Sequence, residues 1–598
     1  MEVHIHPAHE RNFAVFLLLL AFPIAGLASE RQVVQLHDFE QVEVRSGGFT
    51  LPKDMSVHIQ ALGAGEGGRG GDDMFAYGWI IDAATRSEVW KLSGDNTSRA
   101  KSDRKFDDWV ALKRGSYEAY YTVYGYGSHS PFGSFNVNID RRKENLSSGE
   151  KLKKHGFFSW FEDLFGVSDR EWKSRAKSWG MDISVDDRES GVTAFDPPRA
   201  FGGTLFKSTR LGENEHVRQA FKLSRPVAMR IYAIGEIPEG GEAADYGWII
   251  DTKTRKRIWE MKPSNVQSAG GGEKNVKYDD VIEFPAGEYL LYYITDDSHS
   301  FVDWNAAPPD DPFNYGVTLL ATKEEDHDAF ALSETPEDRN VIVQLTRLGN
   351  NENRSSSFSL KTDERVRIYA LGERGSMRRQ MADYGYIINA KTREKVWTMD
   401  VDQTEPAGGA EKNRLTDEVI TLPKGTYTVF FQTDDSHAYN EWNAAPPFDP
   451  DHWGITVSGE GEKFSMSDVE RNVTPKESGV IAQIVRVGDH AAKTLSFSLD
   501  RPTRVRVYAI GEGQNHEMFD YGWVEDAANG TVVWEMTYSM TFHAGGARKN
   551  RMVNTEILLD KGRYTLHYVS DDSHSFGDWN ADPPDDATMW GITLYKAE

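Results

Sequence analysis

The stretch RVRVYAIGE, residues 504–512, sets Val505, Val507 and Ala509 in alternation with Arg504, Arg506 and Tyr508. A period of two turns one row of side chains to a core and the other outward, which predicts a β-strand with one buried face. RVRIYALGE, residues 365–373, repeats the pattern. Downstream, LPKGTYTVFF from Leu422 places Pro423 and Gly425 for a tight turn before the alternating Tyr427, Val429 and Phe431. WGITL from Trp590 reads as a closing strand. Short strands divided by turn residues, with almost no helical periodicity, predict an antiparallel β-sandwich.

The sandwich pattern is written several times. DYGWIID at Asp245, DYGYIIN at Asp383 and DYGWVED at Asp520 lie 138 and 137 residues apart, and His299, His437 and His574 keep those spacings. This predicts an all-β tandem array of four antiparallel jelly-roll-like β-sandwich repeats with one helical insert. The expected boundaries are a divergent first repeat at 31–140, then 201–320, 341–458 and 479–598, with a linker bearing amphipathic helices at 141–200 and charged connectors at 321–340 and 459–478. At 598 residues the chain is long enough for about four ordinary domains.

A net charge of -25 argues against nucleic acid, whose phosphates it would repel, and suits divalent cations, neutral sugars or basic partners. Arg11 precedes an apolar run from Phe13 to about Ala28 that ends in small residues, so residues 1–28 read as a cleaved signal peptide. No other stretch is apolar enough to span a membrane. Export without any cysteine suggests a bacterial periplasmic or extracellular protein, and excludes thiol catalysis and thiolate metal sites.

The Asp-led strand ADYGWIIDTKTRKRIWEM from Ala244, the turn and Tyr strand FPAGEYLLYY from Phe284, and the short last strand YGVTLL together resemble the bacterial pre-peptidase C-terminal domain family. That resemblance implies a jelly-roll-like sandwich serving secreted enzymes as a binding or accessory module, sometimes with calcium.

Between the first two repeats, Phe157, Phe161, Leu164 and Phe165 fall at helical spacing, and Ser168 and Glu171 form a capping box before Trp172, Ala176 and Trp179. These aromatic helices, 157–179, pack on a neighbouring sandwich or dock a protein partner.

The loop TDDSHSFVDWNAAPPDDP, residues 295–312, recurs from Thr433 and Ser570. Its prolines make it stiff. The first repeat keeps YGW at Tyr77 and SHS at 128–130 but lacks DWNAAPP. There Ala76 replaces Asp245, Asp383 or Asp520, Ala64 replaces Glu236, Glu373 or Glu512, Asp38 replaces Arg210, Arg347 or Arg486, and the segment ending at Asn275, Asn413 or Asn550 has no counterpart. A set that disappears together while the strands persist either holds itself together or shares a bound species.

Four readings follow. The loop acids pair with Arg210, Arg347 and Arg486 while the tryptophans cap the sandwich, a purely structural role that also allows the loops to dock one sandwich on the next. Alternatively calcium is held by oxygens of Asp245, Asp296, Asp297, Asp303, Asp383, Asp434, Asp435, Asp520, Asp571, Asp572 and Asp578. A polysaccharide or cell-surface glycan would instead stack on Trp304, Trp442 or Trp579, with Asn305, Asn443, Asn580, His299, His437, His574, Glu236, Glu373 and Glu512 as polar partners. Last, a Glu236 and Asp297 pair would suit a glycoside hydrolase. Ser298, His299 and Asp297 are contiguous and make a poor triad. Repetition favours binding over chemistry, because tandem weak sites gain avidity. The expectation is a secreted, non-enzymatic binding or structural protein, with a secreted glycosidase or an enzyme's accessory module as the alternatives.

Overall fold

The computed structural model describes residues 29–39, 43–65, 74–100, 103–123, 176–241, 243–301, 304–376, 380–474 and 479–597. The expected signal peptide, most of the aromatic helices, the SHS of the first repeat and Asp303 lie outside the described residues. No helix among the described residues is long and apolar enough to cross a membrane. The chain divides into two compact units, residues 1–338 and 339–598.

The structure is almost entirely antiparallel β. In the first unit, the second repeat stacks two five-stranded sheets. One runs Thr204–Thr209, Gly316–Ala321, Val227–Glu236, Asn275–Phe284 and Gln267–Ser268; the other runs Arg257–Glu260, Tyr246–Asp251, Gly287–Ile294, His216–Leu223 and Phe330–Ser333. In the second unit the third repeat copies both sheets, and the fourth does so with six and four strands. The first repeat joins its two layers into one ten-stranded sheet, because Met55–Gly65 pairs directly with Met74–Asp82.

The period-two pattern explains the core. Val505, Val507 and Ala509 are fully buried, as are Val366, Ile368 and Ala370 in the third repeat. The Pro-x-Gly turn sits between Asn413–Leu422 and Gly425–Gln432. Just beyond it, a buried tyrosine closes each turn by donating its hydroxyl to a carbonyl four residues back: Tyr117 to Lys113 at 2.8 Å, Tyr289 to Pro285 at 2.8 Å, Tyr427 to Pro423 at 2.7 Å and Tyr564 to Asp560 at 2.9 Å.

Three expected boundaries need correction. The strand Gly180–Asp186 lies in the expected 141–200 linker, yet it pairs with Glu30–Leu36 and Met55–Gly65 as the closing strand of the first sandwich. Its Met181, Ile183 and Val185 alternate into the core beside Ala176 and Trp179. The connectors also return to the sheets: Thr193–Phe195 pairs with Glu43–Leu51, Phe330–Ser333 with His216–Leu223, and Val469–Arg471 with Asn353–Leu360. Each gives an edge strand a partner for backbone groups that would otherwise be open.

Candidate functional site

The site is built where the chain passes from one sheet to the other. Glu373 closes the strand Glu364–Glu373 and Asp383 precedes Tyr384–Asn389. Their backbones exchange hydrogen bonds, Glu373 N to Asp383 O at 3.1 Å and Asp383 N to Glu373 O at 3.3 Å, which fixes the two carboxyls side by side. Glu236 with Asp245 is pinned the same way, whereas the first repeat pairs Ala64 with Ala76 at this place. The third acid arrives from the loop: the amides of Asp296, Asp434 and Asp571 donate to Asp245, Asp383 and Asp520 at 2.8, 2.8 and 2.9 Å.

Two buried acidic triads result that could hold a metal ion. Glu373, Asp383 and Asp434, and likewise Glu512, Asp520 and Asp571, each offer one oxygen within 4.8 Å of the others. All the donors are hard carboxylate oxygens, the kind that calcium and magnesium take. Burial pushes Asp383 up to about 8 and Asp520 and Asp245 up to about 7, and it also raises Glu236, Glu373 and Glu512. A lysine ammonium answers one glutamate oxygen in each repeat: Lys274 at 2.9 Å from Glu236, and Lys412 and Lys549 at 3.1 Å from Glu373 and Glu512. The other glutamate oxygen, Oε2, is buried without a hydrogen-bond partner in all three. Trp453 and Trp590 donate their indole N–H to Asp383 and Asp520 at 3.1 Å; in the second repeat the Tyr315 hydroxyl does this for Asp245 at 2.5 Å.

The histidines belong to the frame of this site. His299, His437 and His574 are fully buried, and burial, reinforced by the adjacent lysine, lowers them to about 3, 4 and 4. Asn413 donates both amide hydrogens, to Gly408 O at 2.8 Å and Ala445 O at 2.9 Å. Its oxygen therefore faces His437 Nε2 at 2.6 Å, so that nitrogen carries the ring's hydrogen. Asn275 and Asn550 make the same bridge between the glycine turn and the Pro-Pro loop. The turn must be glycine: a Cβ on Gly546, at φ +61, would lie 2.0 Å from the carbonyl oxygen of Pro583.

Several expected ligands are placed elsewhere. Trp304 is 6% exposed and packs edge-on against Tyr315 at 5.0 Å, so it offers no open stacking face; Trp442 and Trp579, half-buried, meet Trp453 and Trp590 the same way at 5.0 Å. Asn305 and Asn443 face His299 and His437 Nδ1 at 3.0 Å. Asp297, Asp435, Asp572 and Asp578 are exposed and stand outside the triads. Among the described residues the expected pairing of arginine with Asp297, Asp435 or Asp572 is not seen: Arg347 stands 3.3 Å from Asp451, just past the loop, while Arg210 lies over Phe313 at 4.7 Å and Arg486 over Phe576 at 5.9 Å. All three arginines, like Asp38 in the first repeat, have positive φ, and that backbone demand aligns the four positions.

The arginines that do meet loop acids were missed in the sequence. In the first unit, Asp310 and Asp311 end the second repeat's loop and seat on the first repeat. The Trp79 indole donates to Asp310 O at 2.7 Å, and Arg86, fully buried, clamps Glu118 at 2.8 and 2.9 Å and Asp311 through Nε at 2.8 Å and through Nη2. Tyr232 completes the seat, donating to Asp311 at 2.8 Å. In the second unit, Asp585 and Asp586 of the fourth repeat seat on the third: Tyr386 donates to Asp585 O at 2.7 Å, Lys395 pairs with Asp585, Arg393 stands 3.4 Å from Asp586, and Tyr508 donates to Asp586 at 3.0 Å. The available signal was the recurring Thr-Arg of AATR, TKTR and AKTR, which puts Arg86, Arg255 and Arg393 at φ near +60 where the fourth repeat has Gly530. For the lysines it was the Lys-Asn pair at 274, 412 and 549.

No family model and no curated protein matches the chain. Among solved structures, arabinofuranosyltransferase AftD from mycobacteria aligns at 10% identity and a TM-score of 0.09, over 89% of this chain and 39% of that one. The chain thus spans well under half of that structure's length, and a score so low carries no argument about fold or function.

Proposed function

We propose that the chain is an exported, non-enzymatic structural and binding protein whose sandwiches are locked by their acidic loops, and whose third and fourth repeats each bind one calcium ion. The observation that carries the metal reading is the buried triad with an orphaned glutamate oxygen, present in both repeats, whereas in the first repeat alanines stand at the positions of its Glu and its strand-leading Asp. A buried carboxylate oxygen without a partner is costly, and an oxygen-seeking cation would relieve that cost. A lysine at each glutamate and an asparagine at each histidine Nε2 hold these groups in fixed partnerships, which favours binding over hydrolysis. The likeness to the pre-peptidase C-terminal sandwich fits an accessory role beside a secreted enzyme.

Titration calorimetry of the full chain is expected to count two calcium ions, and Glu373→Gln with Glu512→Gln to remove both. No heat, together with no change in melting temperature at millimolar calcium, overturns the metal reading. Polysaccharide hydrolysis that disappears on Glu236→Gln, Glu373→Gln and Glu512→Gln together overturns the non-enzymatic one.

A further inference from the structure

Resting on the calcium reading, we infer that Lys412 and Lys549 are built-in counter-ions that a divalent cation displaces, and that in the fourth repeat this exchange loosens the loop seated on the third. Lys549 touches two things at once. Its ammonium lies 3.1 Å from Glu512 Oε1 and donates to Asn580 Oδ1 at 2.5 Å. Glu512 is 5% exposed, its second oxygen has no partner, and its carboxyl shares the 4.8 Å cluster with Asp520 and Asp571. A divalent ion bound there would sit beside the ammonium, and two cations cannot share one buried carboxyl without strong repulsion. The lysine has somewhere to go, because 18% of its side chain already reaches solvent.

The second contact makes the exchange matter. Asn580 opens the segment that continues through Pro583 to Asp585 and Asp586, the two residues seated on Tyr386, Lys395 and Arg393. The far side of the segment is fixed by Asn550, which donates to Asp582 O at 2.9 Å, and by Asp585 N, which donates to Ala544 O at 2.9 Å. Lys549 therefore joins the triad's charge directly to Asn580, the first residue of that segment. Lys412 repeats the arrangement with Glu373 and Asn443.

The test uses the full chain with Lys412→Met and Lys549→Met together. Without metal, the variant is expected to melt several degrees lower, because the buried glutamates lose the cation that answers them. Its calcium affinity is expected to rise at least tenfold, and calcium to restore the lost stability. In the unmodified chain, calcium is expected to speed amide exchange across residues 580–586. Lys412→Arg with Lys549→Arg keeps the charge, and its affinity is expected to stay within about threefold of the parent. Unchanged metal-free melting, or unchanged affinity in a chain that does bind calcium, overturns the exchange alone. Absence of calcium binding in the parent and both variants overturns the exchange and the calcium reading together, and a lower metal-free melting point in that case still marks the lysines as counter-ions.

Discussion

The first and fourth repeats are each missing what the other has. The first carries Arg86 and receives a loop, but its sequence has no DWNAAPP segment and alanines fill two of its triad positions. The fourth carries the loop and the triad, but Gly530 stands where Arg86 and Arg393 turn their side chains toward incoming aspartates. Both nevertheless bury complete cores. Loop, triad and arginine are thus dispensable for folding a sandwich, and the arginine and loop are two halves of one joint placed on different repeats.

The largest expected effect comes from unmaking the first joint. Arg86→Ala leaves Glu118 and Asp311 buried as unpaired carboxylates, and removing one partner of a buried ion pair costs about 3–5 kcal/mol. Urea unfolding should show that loss in the transition of the first unit; a loss below about 1 kcal/mol would mean the joint does not depend on its arginine. Arg393→Ala should cost less, about 1–2 kcal/mol, because Arg393 stands 3.4 Å from Asp586 and Tyr508 and Lys395 still hold the loop.

A pH effect separates the repeats that carry acids from the one that does not. Asp245, Asp383 and Asp520 are raised in the fold to about 7, 8 and 7, so the folded state keeps protons that the unfolded chain releases. Their contribution is full below the ordinary carboxylate value of 3.8 and is lost as pH rises through 7 to 8. His299, His437 and His574 are lowered to about 3, 4 and 4, so theirs is full above the ordinary 6.5 and is lost as pH falls through 4 to 3. The two sets oppose each other between about pH 4 and 6.5, and above that only the acids act. Melting temperature in calcium-free buffer should therefore decline from about pH 6.5 to 8, and Asp383→Asn with Asp520→Asn should flatten the decline. An equally steep decline in that double variant would place its source elsewhere.

The smallest expected effect is Gly530→Arg. Arg86 and Arg393 tolerate φ of +58 and +61 while making ion pairs, whereas at Gly530, φ +70, a Cβ would have only Glu525 Oε1, at 3.9 Å, within 4 Å among the described residues. The cost should be mainly that of the backbone, about 1 kcal/mol by chemical denaturation. A gain in stability would show that an ion pair with Glu525 outweighs the backbone cost.

Much of the fold was legible locally. The alternation around Val505 and the Pro-Gly turns before Tyr427 predict strands because side-chain period and turn chemistry act over a few residues. The acids of the candidate site were legible too, since comparison with Ala64 and Ala76 marks Glu373 and Asp383 as a set. Their partners were not. Lys412 meets Glu373 across two strands, and Asp311 meets Arg86 across two repeats, distances along the chain at which no local pattern operates.

By itself the sequence determined the all-β class, the repetition and the stiffness of the acidic loops, because these follow from periodicity, turn residues and proline geometry. Only the tertiary structure decided that Gly180–Asp186 closes the first sandwich, that the histidines sit inside a frame of amides, and that Arg86 and Arg393, and not Arg210, Arg347 and Arg486, receive the terminal aspartates of the docking loops. The physical reason is pairing: a strand, a buried charge or a hydrogen-bond donor must find a complement, and which complement lies within reach is settled by packing.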